Sequence, residues 1–63
     1  MSFMEKQHKN LEITFNEAEK LRNNGNFVEA INLFKKILKD NPNFKPALNN
    51  IANCYFKLNK YDL

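Results

Sequence analysis

Residues 11–44 carry one complete 34-residue spacing pattern, and residues 45–63 begin it again. Ala18 returns as Ala52, Leu21 as Tyr55 and Phe27 as Tyr61, each 34 positions on. Small residues thus recur at one phase and large apolar residues at two others. A period of this length belongs to chains in which one supersecondary unit stacks on the next, because no unit buries its apolar face alone. A second unit that is only begun predicts an apolar face left without cover.

The periodicity within each unit is helical. Met4, His8, Leu11, Phe15, Ala18 and Leu21 follow one another at three- and four-residue steps and form one stripe over residues 3–23, with Ile13 off it. Ser2 and Glu5 have capping-box spacing at its start. Asn24-Gly25-Asn26 closes it, with Gly25 suited to the left-handed conformation beyond a helix end. A second helix is expected over residues 27–39. Its apolar set, Phe27, Ala30, Ile31, Leu33, Phe34, Ile37 and Leu38, spans an arc of roughly 160° at the ~100° helical step. Asn41-Pro42-Asn43 ends it, since proline disfavours a helical residue before it. A third helix is expected over residues 45–58, with Pro46 in the first turn. Its apolar residues, Ala47, Leu48, Ile51, Ala52, Cys54, Tyr55, Phe56 and Leu58, span roughly 200° by the same step. One helix pair covers about half of that, so the third helix is built to be covered twice.

Composition narrows the function. A chain of 63 residues makes one small domain, and such a chain buries only about 60% of its unfolded surface. Scaffolds of this size lean on disulfides, metal or association. A single cysteine, Cys54, forms no internal disulfide, and a single histidine, His8, excludes ordinary His/Cys zinc chemistry within one chain. Association remains. No apolar run approaches the ~20 residues of a membrane span, and residues 1–10 lack the apolar core of a secretory signal. The expected location is the cytoplasm. The net charge of +3 is mild.

The ordered set Ala18, Leu21, Gly25, Phe27, Ala30, Phe34 and Pro42, with its recurrence at Ala52, Tyr55 and Tyr61, resembles the tetratricopeptide (TPR) repeat. The resemblance implies an all-α fold: a helical hairpin plus a third helix, a truncated α-solenoid. It divides the chain into an N-terminal helical extension (1–10), one repeat (11–44) and the first half of a second (45–63). Ala18 and Ala52 take the small position of the first helix, and Ala30 and Phe34 fit the second. Thr14, Glu17, Ile37 and Asn59 depart from the pattern; Asn59 stands at the turn glycine. The third helix is expected to pack through Leu48, Ala52 and Tyr55, and a fourth to begin near Tyr61.

The candidate oligomer or partner interface is Ala47, Leu48, Ile51, Cys54, Tyr55, Phe56, Leu58 and Tyr61, since contiguous exposed apolar surface usually marks a contact site. TPR modules bind extended peptides along their first helices, which implies a shallow groove lined by Phe15, Glu19, Arg22, Asn49, Asn50, Asn53 and Phe56. Asn50 falls where some members place a carboxylate-clamping asparagine. Phe15 and Glu19 stand where the other clamp residues are expected, and Glu19 would repel a carboxylate. Lys35, Lys36, Lys39, Lys45, Lys57 and Lys60 read as a solvated face rather than a nucleic-acid patch, with one arginine in the chain and Glu29 and Asp40 among them. His8 reads as a helix residue rather than a ligand, and Cys54 as a small buried hydrophobe. Glu5, Glu12, Glu17 and Glu19 argue against the first helix lying on anionic lipid. No catalytic constellation, cofactor or metal site is expected. The expected function is a non-enzymatic protein–protein interaction module that self-associates through its third helix. The alternatives are a small adaptor or inhibitor docking on a larger protein or enzyme, and the N-terminal regulatory part of a longer enzyme.

Overall fold

The computed structural model describes the backbone of residues 3–61 and the side chains of residues 10–60. Three helices follow in order: α1 (Phe3–Asn23), α2 (Phe27–Asp40) and α3 (Lys45–Tyr61). The Ser2–Glu5 cap and the side chains of Met4, His8 and Tyr61 lie outside what is described.

α2 packs on α1 along one side and on α3 along the other, while α1 and α3 barely touch. The Cα trace measures 49 × 21 × 13 Å, so the helices lie side by side in a slab. Ala18 on α1 and Ala30 on α2 are fully buried, as close helix approach requires. Phe34 is the largest side chain fully enclosed among the described residues. Phe15 meets it edge-on at 5.6 Å between ring centres and meets Phe44 at 5.5 Å, both in the range where aromatic edges favour faces. One aromatic run thus joins α1, α2 and the α2–α3 turn.

The turns follow from local chemistry. Asn26 N–H donates to the Leu21 carbonyl at 2.8 Å and Gly25 N–H to the Arg22 carbonyl at 3.0 Å. This pair is a Schellman motif, and Gly25 takes the left-handed φ of 85° that it needs. At the second turn the Asn41 N–H donates to the Ile37 carbonyl at 2.9 Å, and its side-chain amide donates to the same oxygen at 3.3 Å.

α3 departs from expectation at its end. It runs on to Tyr61 rather than stopping at Leu58, and no fourth helix begins within the described residues. The equivalent of Gly25 one period later is Asn59. Without a glycine to enter the left-handed region cheaply, the helix continues through the position that ends α1.

Candidate functional site

α3 turns one side into the protein and leaves the other open. Ala47 and Cys54 are fully buried in the core, and Ile51 and Leu58 pack against it. The opposite side holds Leu48, Tyr55 and Phe56, exposed by 46%, 45% and 64%, with Ala52 exposed between them. The expectation that α3 packs through Leu48, Ala52 and Tyr55 is therefore corrected. Ala47, Ile51, Cys54 and Leu58 make that contact and are not on the open face.

The 34-residue register supplies the reason. Thr14, Ala18 and Leu21 of α1 correspond to Leu48, Ala52 and Tyr55 of α3. On α1 this face lies under α2, and Ala18 has no exposed surface. On α3 no helix of the described residues lies over the same face. The other face behaves in reverse. Ala47, Ile51, Cys54 and Leu58 of α3 correspond to Ile13, Glu17 and Lys20 of α1 and to Asn24 in the turn after it. All four are exposed, Ile13 by 52%. Apart from Ile13, α1 thus carries polar side chains on this face, whereas α3 carries apolar ones.

The open face has neighbours on α2 that the sequence did not place beside it. The Lys35 ammonium of α2 lies 6.0 Å from the centre of the Tyr55 ring, at the outer limit of a cation–π contact. Val28, seven positions earlier on the same side of α2, is exposed as well. It extends the apolar surface toward the C-terminal end of α3, because α2 and α3 run antiparallel.

The proposed peptide groove is largely occupied by the protein itself. Phe15 faces Phe34 and Phe44 in the core rather than the solvent. Asn50 is buried, and its side-chain oxygen accepts from the Arg22 guanidinium. Arg22 also donates to the Asn23 side chain at 3.1 Å. Glu19 is half-buried, and Asn49 and Asn53 are exposed. What remains is an open groove of about 910 Å³ where α1 and α3 end and α2 begins, lined by Arg22, Asn24, Phe27, Asn53, Lys57 and Leu58. Burial pushes the Cys54 thiol above its ordinary value, partly opposed by the Arg22 charge.

The tetratricopeptide repeat model of protein families matches residues 21–63, more than half of the sequence. The chain belongs to the tetratricopeptide repeat family. Neither a curated protein nor a solved structure matches it. Tetratricopeptide repeats mediate protein–protein interaction, and the matched span takes in α2 and all of α3 that is described. Among the described residues, no group of three or more His, Cys, Asp or Glu is placed to hold a metal ion. No helix there is long and apolar enough to cross a membrane.

Proposed function

We propose that this chain is a non-enzymatic protein-interaction module that works through the open face of α3. A helix docks there in the position α2 takes on α1. The observation that supports this is the contrast between equivalent residues: Ala18 is fully enclosed while Ala52 is exposed. Leu48, Ala52, Tyr55 and Phe56 form the surface, with Val28 at its edge. Burying four or five such side chains at about 25 cal/mol per Å² is the driving force available.

Self-association is the simplest arrangement, because a two-fold axis lets the same patch cover itself. Head-to-tail stacking is disfavoured, since the α1 face that would receive α3 carries Glu17 and Lys20. Docking of a helix from another protein uses the same surface. The lysines around it favour that second reading. The test is mass by light scattering over a concentration series, with helicity measured alongside, for the native chain and for Phe56→Asp. A helical dimer that Phe56→Asp dissociates supports self-pairing. A helical monomer leaves the face free for another protein's helix. A native oligomer that Phe56→Asp leaves intact and helical overturns the assignment of this face.

A further inference from the structure

The charge around the open face points to what covers it. Residues 45–61 contain Lys45, Lys57 and Lys60 and no aspartate or glutamate. At the ~100° helical step, Lys45 and Lys60 fall along one edge of the face, beside Phe56. The other edge belongs to α2, where Lys35 reaches over Tyr55. Lys39, one turn further along α2, lies toward Leu48 in this antiparallel pair. The two acids of α2, Glu29 and Asp40, fall by the same ~100° step on its flank nearer α1. The acids of α1 among the described side chains, Glu12, Glu17 and Glu19, stand on the far helix of the slab. The lysines that read as a solvated patch in the sequence are thus sorted by the fold. Four of them frame the apolar face, and the acids among the described side chains are turned away from it.

From this the geometry points to a partner of definite chemistry: an amphipathic helix whose apolar stripe is flanked by aspartate or glutamate on both sides. This inference rests on the proposal that a helix docks on α3. A two-fold pair of chains would bring Lys35, Lys39, Lys45 and Lys60 against their own copies. An acidic-flanked helix meets the same frame with opposite charge. Like charges across an interface oppose association, and complementary ones select the partner and speed encounter. An acidic helix therefore displaces a second copy from the face.

Three stapled 14-residue helical peptides test this against the 63-residue chain. All start from the α2 sequence, residues 27–40. The first keeps Lys35, Lys36 and Lys39; the second has glutamate at those three positions; the third is the acidic peptide with its apolar residues scrambled. Anisotropy titrations run at about 0.05 M and about 0.5 M salt, which moves the screening length from above 10 Å to well below it. The acidic peptide is expected to bind about tenfold tighter than the lysine peptide at low salt, with the gap shrinking at high salt. Lys35→Glu with Lys60→Glu should reverse the preference, and Phe56→Asp should weaken both peptides. Equal binding of the two unscrambled peptides overturns the charge inference and leaves helix docking standing. Equal binding of the scrambled acidic peptide also overturns it, since charge without the apolar face would then suffice. Self-pairing that the acidic peptide fails to displace makes the second copy the occupant. If no peptide binds and the helical chain is monomeric, docking on α3 itself is wrong.

Discussion

The guanidinium of Arg22, in the last turn of α1, donates a hydrogen bond to the side-chain oxygen of buried Asn50 on α3. These two helices otherwise hardly meet, so this bond fixes the outer helices of the slab at a set spacing. It also explains why Asn50 does not serve as a free ligand donor. A buried amide left without a partner costs about 1–3 kcal/mol, so Arg22→Ala should destabilise the chain by that amount. Replacing both residues, Arg22→Met with Asn50→Leu, should cost less than the sum of the single changes, with a coupling of about 1 kcal/mol. Urea unfolding of the four variants measures the cycle. Additive single effects would mean that the bond does not tie the helices.

Gly25 isolates a backbone effect. Its φ is 85°, and a Cβ built there would meet nothing within 4 Å. Any cost of a side chain is then conformational rather than steric. Gly25→Ala should destabilise by about 1–2 kcal/mol, the penalty for an L-residue in the left-handed region. D-alanine at the same position, accessible by chemical synthesis of a chain this short, favours positive φ. It should stabilise by about 0.4–1 kcal/mol through the unfolded state. Thermal unfolding of the three chains should rank D-alanine above glycine above L-alanine. If both alanines destabilise equally, the turn is crowded.

Cys54 predicts a pH dependence. Burial raises its thiol above the ordinary value of 9.0. Below that value the thiol is protonated in both the folded and the unfolded chain, and the burial carries no pH-linked cost. As pH rises past it, the unfolded chain loses the proton first, and stability falls until the folded value is passed. The comparison is Cys54→Ala, less stable overall but lacking this component. Between about pH 8 and about pH 10 the native chain should lose more stability than the variant. The thiol should also react slowly with disulfide reagents until the chain is denatured. Parallel pH profiles would show that the thiol is solvated.

The helices, the Gly25 turn and the Phe34 core were legible because each rests on a local signal: a three- and four-residue step, a glycine, an apolar arc. The faces of α3 were not. Its apolar residues span about 200°, and an arc that wide does not say which half meets the helix before it. Repeat arithmetic pairs Ala52 with Ala18, which suggested that both are packed. Ala18 is packed by the helix that follows it, and Ala52 has none over it among the described residues. Side-chain identity cannot express that difference; only the position of α2 can. The length of α3 was misjudged for a related reason, since asparagine permits a turn without enforcing one. The Lys35–Tyr55 proximity joins two helices that no spacing rule links.

Ile51 and Phe56 separate the two faces of α3 by experiment. Both are apolar, both lie in the middle of the helix, and both were assigned to one interface from the sequence. Ile51 packs against the core, while Phe56 is 64% exposed. Aspartate at 56 places a charge in water and should change the stability of the folded monomer by no more than about 0.5 kcal/mol. Aspartate at 51 places a carboxylate against the core cluster on which Ile51 packs. An unpaired buried charge costs about 3–5 kcal/mol, comparable to everything a chain of this size has. Phe56→Asp should therefore keep full helicity and a cooperative melt, whereas Ile51→Asp should lose both. Leu48→Asp should behave like Phe56→Asp, and Ala47→Asp like Ile51→Asp. Helicity at low protein concentration, where association is absent, makes the comparison. If Phe56→Asp unfolds the monomer, its ring is part of the core, and the surface proposed for a partner helix is smaller than four residues.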